Sequence, residues 1–335
     1  MFTEKDLQEK PVLIKVFTGL PEQVFWQLMA DLQAKLPAYE RERLARPDRR
    51  RAVGGGRNFD LPLTVRVALV LTYLRLHIPQ QAVACIYQDA TQPDVSRELR
   101  RLLPLMRQVL PCAEVWQLIE EEHVLTEVEV LEMEQLLDGR VLVDATEQQV
   151  YRPGESNEER KKYYSGKKKQ FTLKTQFVAD GEHHILVISI SVPGATNDKK
   201  LSDEVKTVDR LPDGCEASAD KGYQGLAKQV SLVTVRNIET GEEEQLPRLT
   251  VKTPFKKPRG GELTEEQKAF NKLLGSIRVR VEHCIGWVKN WAIVATRFRC
   301  AHSIYTLVMQ VICGFVNLQT ERWQSAKAQA AGRLL

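Results

Sequence analysis

The sequence lacks the features that mark several large classes of protein. It has no C-x-x-C pair and no local cluster of cysteine with histidine, which argues against a structural zinc site or a disulfide framework. Basic and acidic side chains nearly balance at 48 to 44, so the net charge of +4 indicates no particular partner. The opening segment MFTEKDLQEK carries acids and no apolar run, so we expect no signal peptide. The longest apolar stretch, Val65 to Leu76, contains two arginines and is too short to cross a bilayer. Because Leu63 to Leu76 is apolar nearly all round, we expect a buried helix there. We therefore expect a soluble cytoplasmic protein without a membrane partner.

Charge is concentrated in blocks that divide the chain. Residues 41–57 are rich in arginine and include three consecutive glycines near their end, which is typical of a flexible joint. Residues 120–134 hold seven glutamates and no lysine or arginine, with apolar residues between them, which predicts an amphipathic connector helix. We expect four regions, in order: an N-terminal helical region that is a candidate for dimerisation (1–56), a second helical region (57–115), an acidic connector (116–139), and an α/β domain with inserted strands at about 232–254 (140–335).

The pattern in the second region resembles a helix-turn-helix. Residues 80–88 predict a short helix, a turn follows near Asp89, and a second helix opens at Thr91, which forms a capping box with Asp94. Three arginines lie on the expected outer face of the second helix: Arg97, Arg100 and Arg101. Such a face could enter the major groove of DNA and reach guanine edges or phosphates. A helical bundle with a solvated arginine face is the alternative that the sequence leaves open.

Three acids lie beside apolar elements in the α/β domain. A buried strand over 141–143 runs into Asp144, and a second short strand ends at Asp220. Thr264 and Gln267 predict a capping box at the start of a long helix that carries Glu282. The expected core stripe of this helix is Phe270, Leu273, Leu274, Ile277, Val281, Ile285 and Val288. Strands followed by helices predict an α/β core with a mixed sheet, and open α/β sheets place their sites at the C-terminal ends of strands. Taken singly, each acid is better explained as a strand-end cap or a solvated helix residue.

Together, the three acids have the chemistry of a metal site. Hard cations such as Mg²⁺ take oxygen ligands. If Asp144, Asp220 and Glu282 converge, they could hold two Mg²⁺ ions, for which Mn²⁺ would substitute, about 3.5–4 Å apart. Two metals at that separation activate a water or hydroxyl and stabilise the leaving oxygen of a phosphodiester.

Four segments carry a resemblance to a known family: Val143–Glu147, Tyr164–Lys169 followed by Lys174, Ala219–Gly225, and Arg278-x3-Glu282-x6-Lys289. With these motifs in this order, residues of about 140–300 resemble the DDE transposases of bacterial insertion sequences, in particular the IS-four/IS-five group. The resemblance implies an RNase H-like catalytic core preceded by an all-α helix-turn-helix region. In that group a tyrosine often stands where this chain has Gly275, so the branch within the group is left open.

The last motif also has a physical reading. Arg278 and Glu282 are one helical turn apart, and Lys289 follows two turns later, so all three are expected on one helix face. A face with one metal-binding acid between two bases would suit a phosphate backbone.

The resemblance implies a transposase that binds the terminal inverted repeats of its own element as double-stranded DNA. It would cut DNA to free a 3′-hydroxyl and join that end to target DNA. The implied catalytic residues and metal ligands are Asp144, Asp220 and Glu282. The segment Tyr164–Lys169, followed by Lys174, resembles the basic hairpin of the family. The implied phosphate contacts are Lys167, Lys168 and Lys169 of this hairpin with Arg278 and Lys289, and the implied contacts to the element end are Arg97, Arg100 and Arg101.

Two DNA ends must be brought together in this reaction, so the resemblance also implies a homodimer or a higher oligomer. Two other functions stay open at this stage. One is a domesticated metal-dependent endonuclease that cuts DNA without joining it. The other is a regulator that binds DNA through the helix-turn-helix and has no catalytic activity.

Overall fold

The computed structural model describes residues 1–45, 59–119, 139–154, 156–236 and 243–332. The chain divides into two compact units. The first contains Met1–Cys112, Lys289–Thr296 and Leu307–Phe315, and the second contains Ala113–Val288, Arg297–Thr306 and Val316–Leu335. The expected boundary at residue 56 lies outside the described residues, and helices from both sides of it pack together in the first unit.

The elements of the described residues are numbered in chain order. The helices are α1 (Glu4–Glu9), α2 (Pro11–Thr18), α3 (Glu22–Leu44), α4 (Leu63–Leu76), α5 (Gln80–Ala84), α6 (Gln92–Val109), α7 (Asn157–Tyr163), α8 (Asp198–Glu204), α9 (Thr207–Arg210), α10 (Glu265–Val288), α11 (Ala292–Ala295) and α12 (Tyr305–Gly332). The strands are β1 (Glu114–Trp116), β2 (Arg140–Gln149), β3 (Tyr164–Ser165), β4 (Gln170–Asp180), β5 (Ile185–Ser189), β6 (Val192–Pro193), β7 (Glu216–Ala219), β8 (Leu232–Arg236), β9 (Glu243–Pro247) and β10 (Thr250–Lys252).

The first unit is built around α4, which is apolar nearly all round and almost wholly buried, as its sequence predicts. Its one buried arginine, Arg66, pairs with Glu98 of α6 at 2.7 Å. Both side chains are nearly inaccessible, so removing either would leave an unpaired buried charge. This pair therefore fixes how α6 packs on α4.

The helix after α5 begins where the sequence predicts. Thr91 is its N-cap, and Thr91 and Asp94 form the expected capping box. The preceding helix α5 is shorter than expected and ends at Ala84, because residues 85–90 form turns and a single bridge to Phe2. The use of this helix pair as a DNA-binding helix-turn-helix stays a prediction.

The second unit contains a mixed sheet with the strand order β1-β5-β4-β2-β7-β10, and β3 and β6 both pair with the first five residues of β4. Strand β4 runs antiparallel to both of its main neighbours, whereas β7 is parallel to β2 and β10 is parallel to β7. Helices of this unit follow the strands in sequence. The predicted α/β class with a mixed sheet is confirmed, and the arrangement is consistent with an RNase H-like core.

One detail of the strands differs from the expectation. Asp144 was expected at the end of a strand, but β2 continues for five residues beyond it, because the pairing with β4 extends to Gln149 opposite Thr172. The parallel pairing with β7 does stop before the acid, at Val143 opposite Ala219. Asp144 and Asp220 therefore each follow the last paired residue of two neighbouring parallel strands.

Helix α10 begins with the predicted capping box of Thr264 and Gln267, whose backbone and side-chain groups exchange hydrogen bonds. Its expected core stripe is partly wrong, since Leu273 is exposed while Leu274 and Val281 are buried. The helix ends at Val288, so Lys289 lies just beyond it. The expectation that Lys289 shares a helix face with Arg278 and Glu282 is therefore corrected.

Residues of the inserted strands divide between two sheets. Strands β8 and β9 pair as a separate antiparallel hairpin, while β10 joins the edge of the main sheet. Three sequence expectations lie outside the described residues: most of the arginine-rich stretch after residue 45, the acidic connector helix at 120–134, and the segment at 240–242 between the inserted strands. Within the described residues, one helical stretch, His302–Gln329, is long and apolar enough to cross a membrane, but 67% of its most apolar window is buried inside the protein. Core helices pass the same test, so this is weak evidence for a membrane span.

Candidate functional site

The sheet of the second unit places two of the predicted acids side by side. Asp144 and Asp220 follow Val143 and Ala219, which are register partners on adjacent parallel strands. Asp220 then leads into a 3₁₀ turn over Lys221–Tyr223, in which the Tyr223 amide donates to the Asp220 carbonyl. The end of one parallel pairing thus positions both carboxylates.

Helix α10 adds the third acid and a base. Arg278 is buried, and its guanidinium lies among all three carboxylates. One guanidinium nitrogen is 3.0 Å from an Asp220 oxygen, and the other is 3.9 Å from Asp144 and 3.7 Å from Glu282. The three acids that the sequence singled out therefore converge on one cation. Arg278, predicted as a phosphate contact, pairs with acids in this structure.

Burial controls the protonation of the site. It raises the pKa of Asp144 to about 6, a shift that the neighbouring charges of Asp220 and Asp198 reinforce and that Arg278 and the Ala145 amide oppose. Burial also raises the pKa of Tyr223 well above its usual value, with contributions from the charges of Asp198, Asp144 and Asp220. The Tyr223 hydroxyl has no hydrogen-bond partner among the described residues. A polar group close to it would satisfy this hydroxyl.

The donor set suits a divalent cation. Three carboxylates are the oxygen ligands that Mg²⁺ and Mn²⁺ prefer. Among the described residues, no three acids, histidines or cysteines are close enough as they stand to bind one ion. The Arg278 guanidinium supplies the counter-charge of these carboxylates at 3.0–3.9 Å. The residues fit a cation if Arg278 moves aside.

A second charged cluster was missed by sequence reasoning. Lys174 was expected to continue the basic hairpin, but it is buried and pairs with Asp198 at 2.7 Å and Glu147 at 3.5 Å. Asn197 is the N-cap of α8, and its side-chain oxygen accepts a hydrogen bond from the Lys200 amide. The signal that could have revealed the cluster is register, since Glu147 and Lys174 are direct partners on β2 and β4.

The predicted basic hairpin is present and exposed. Strands β3 and β4 are joined by a turn that carries Lys167, Lys168 and Lys169. The Lys169 amide donates to the Ser165 carbonyl, and Lys169 adopts a positive φ of 55° to close the turn. All three side chains are therefore free of burial and available to a ligand at the surface of the second unit.

The predicted arginine face of α6 is only partly outward. Arg97 and Arg100 are exposed, and they contact Asp94 and Ser96 of their own helix. Arg101 instead forms a bidentate pair with Glu40 of α3 and lies over the Phe59 ring at 4.0 Å. One residue beyond Arg100, it is rotated about 100° around the helix towards α3, so the expectation of one shared outer face is corrected. A cavity of about 600 Å³ beside these side chains is lined by five arginines and three acids.

The mixed sheet sets Asp144 beside Asp220, and α10 brings Glu282 to the same guanidinium, so the site is a cluster of three carboxylates. Residues 143–317 match the family model described as DDE superfamily endonuclease. That range contains all three acids and covers half of the chain, so the chain belongs to the DDE superfamily endonucleases.

One curated relative is similar over a shorter range. It is described as a probable transposase for insertion sequence element IS702, from Microchaete diplosiphon, and it is 31% identical over 184 residues. The match covers 54% of this chain and 58% of the relative, so this chain spans a little over half of that protein's length. No solved structure matches the chain.

Proposed function

We propose that this protein is a DNA transposase that binds the terminal inverted repeats of its element, cuts DNA there and joins the freed 3′-hydroxyl to target DNA. The observation that carries the proposal is the convergence of Asp144, Asp220 and Glu282 on one guanidinium. Membership of the DDE endonucleases and the similarity to a probable transposase support it.

In this proposal, Asp144, Asp220 and Glu282 hold two divalent ions, Mg²⁺ or Mn²⁺. Bound there, these ions would supply activation of the attacking oxygen and charge stabilisation for the leaving oxygen. The protein contributes the positions of the ligands. Two aspartates are fixed by sheet pairing, whereas Glu282 reaches from an exposed helical position with a longer side chain.

Arg278 has two tasks in the proposal. Without a bound cation it balances three negative charges that would otherwise repel each other. When a cation takes that place, the guanidinium must move, and a base beside the acids is then available for a DNA phosphate. Release of the Arg278 guanidinium would thus couple cation binding at the site to DNA binding.

The exposed bases would provide further DNA contacts. Lys167, Lys168 and Lys169 would hold phosphates near the acids, and Lys289 would add a further contact. Arg97 and Arg100 on α6 would contact the element end, and Arg101 would join them only if its pair with Glu40 opens. Because a transposase must hold two DNA ends, we expect a homodimer or a higher oligomer, with the N-terminal helices at its interface.

A cleavage and joining assay tests the proposal. The substrate is plasmid DNA that carries the native flanks of the gene, with Mg²⁺ or Mn²⁺, and the products are scored for nicks and for joined strands. Wild type is compared with Glu282→Gln and with Glu266→Gln, which changes an exposed glutamate on the same helix. We expect metal-dependent cuts at the flanks and joined products from wild type and Glu266→Gln, and neither from Glu282→Gln.

The other outcomes point to other functions. Cuts without joined products in any condition would indicate an endonuclease that has lost strand transfer. DNA binding without cleavage by any metal would indicate a regulator. Cleavage retained by Glu282→Gln would contradict the assigned site itself.

A further inference from the structure

A chain of polar contacts links the centre of the sheet to the turn that follows Asp220. Lys174 lies on β4 and is almost inaccessible to solvent, at 5% exposure. A buried ammonium is strongly disfavoured unless acids pair with it. Its two partners come from different elements, Glu147 from β2 at 3.5 Å and Asp198 from the start of α8 at 2.7 Å.

Glu147 is held from its other side. Its second carboxylate oxygen accepts a hydrogen bond of 2.9 Å from the Thr172 hydroxyl. A side chain at Gly194 would overlap that hydroxyl, so the loop before α8 can approach only because residue 194 is glycine. The sheet thus fixes where Lys174 and its acids lie.

Asp198 extends the network towards the site. A Cβ atom at Gly222 would lie 2.5 Å from an Asp198 oxygen, closer than real Cβ contacts. Gly222 is the middle residue of the 3₁₀ turn that begins directly after Asp220. The carboxylate of Asp198 therefore packs on the backbone of this turn, with Lys174 on its other oxygen.

Further along, α8 contacts the same segment again. The Gln229 side chain donates to Asp203 at 3.0 Å, and the Lys199 side chain lies against Gly225, which adopts a positive φ of 98°. Helix α8 therefore follows the segment from residue 222 to residue 229, and Asp198 is the contact nearest to Asp220.

We infer that Asp198, held by Lys174, is a positioning residue that sets the location of the Asp220 carboxylate by packing on Gly222. The inference rests on the proposed role of Asp220 as a metal ligand. It assigns a function to two motifs that are far apart in sequence, the Asn197-Asp198 helix start and the Gly222 turn. Asp198 acts through the turn and does not itself have to touch the reacting atoms.

A double-mutant cycle in the full-length protein tests this. The variants are Asp198→Ala, Gly222→Ala and the double mutant, with Gly154→Ala as the control, because a Cβ at Gly154 meets nothing within 4 Å. Three quantities are measured: Mn²⁺ affinity by electron paramagnetic resonance, DNA affinity, and the single-turnover cleavage rate at saturating DNA.

We expect Gly222→Ala to weaken Mn²⁺ binding and to slow cleavage by about tenfold or more, while DNA affinity stays unchanged. An effect of this size is within the range of interaction energies measured between residues in contact. In the Asp198→Ala background the same glycine change should have little further effect, because the carboxylate it collides with is gone. The inference would be overturned if the losses of Mn²⁺ affinity and cleavage rate in the two single mutants multiplied in the double mutant. It would also be overturned if Gly222→Ala behaved like Gly154→Ala.

Asp198→Glu separates positioning from charge balance and covers the case in which Gly222→Ala does not fold. It keeps the negative charge beside Lys174, but its longer side chain pushes into the Gly222 turn. We expect it to lose Mn²⁺ affinity and cleavage rate as Asp198→Ala does; wild-type values would overturn the inference. A wild-type protein that cuts no DNA would contradict the proposed function alone, since Mn²⁺ affinity still reports the coupling.

Discussion

Asp144 is an acid of the site whose ionisation is unfavourable in the folded protein. Its carboxyl is largely enclosed, and burial is the main reason that its pKa rises from 3.8 to about 6. A carboxylate that must be charged to bind a cation is thus held where charge is unfavourable. Functional sites commonly carry such a cost in stability.

This predicts a pH-dependent gain in stability for Asp144→Asn. The pKa of Asp144 is higher in the folded protein than in the unfolded chain, so the free energy of unfolding of wild type falls as pH rises from about 4 to about 6. The slope is at most about 1.4 kcal/mol per pH unit. Asparagine has no such loss, so the variant should exceed wild type by about 1–3 kcal/mol at pH 7.5 and match it near pH 4. Urea denaturation at both pH values measures this, with the exposed Asp209→Asn as the control.

Because a divalent cation must compete with the proton on Asp144, the Mg²⁺ concentration needed for half-maximal cleavage by wild type should rise as pH drops below about 6. A stability difference that is equally large at pH 4 and pH 7.5 would contradict this account of Asp144.

Arg278 is the only base within 4 Å of all three acids in the described residues. Arg278→Met should lower the free energy of unfolding by about 1–3 kcal/mol, less than a fully buried pair would, because Asp220 and Glu282 are partly exposed. Mg²⁺ should restore part of this loss, since it would supply the missing positive charge. Denaturation with and without Mg²⁺ checks both effects, and Arg278→Lys, which keeps the charge, should lie between wild type and Arg278→Met.

An unfolding free energy of Arg278→Met that does not respond to Mg²⁺ would contradict the placement of a cation among these acids.

At the scale of elements, α6 carries the most direct test of DNA recognition. Arg97→Gln combined with Arg100→Gln should weaken binding to the native flanking DNA and reduce the slope of log affinity against log salt by about 2, as expected for two lost phosphate contacts. Arg107→Gln changes an exposed arginine in the last turn of the same helix and serves as the control. Titrations at several salt concentrations give the slopes. Equal effects of both changes would contradict a specific arginine face.

Elements that local sequence determines were predicted well. The buried helix α4, the capping boxes that start α6 and α10, and the strand before Asp220 follow from apolar patterning and from side chains a few residues apart. The three acids were singled out from sequence because three of the four segments that resemble the family contain them, in the order that the family has. Their approach to a single guanidinium was not predicted, since it depends on how α10 packs on the sheet.

Residues whose partners are distant in sequence were predicted less well. Lys174 was grouped with neighbouring lysines, yet strand register turns it inward between Glu147 and Asp198. Arg101 was grouped with Arg100, yet Glu40 of α3 binds it. In both cases the local pattern gives the charge, and tertiary packing decides whether that charge faces solvent.

On the scale of the whole molecule, the residues proposed for catalysis and those proposed for recognition of the element end lie in different units. The second unit holds the acids and the exposed hairpin, and the first holds the arginines of α6. Residues matched by the family model lie mostly in the second unit. The proposal therefore assigns recognition of the element end to the first unit and the chemistry on DNA to the second.

The most direct test of the central claim is anomalous diffraction from crystals of the protein grown with Mn²⁺ and DNA of the native flanks. We expect one or two Mn²⁺ peaks bounded by carboxylate oxygens of Asp144, Asp220 and Glu282 at about 2.0–2.3 Å, with the Arg278 guanidinium moved from between them. Well-ordered crystals without a peak there, or with Mn²⁺ bound only by other acids, would contradict the assignment of these three residues as the metal centre.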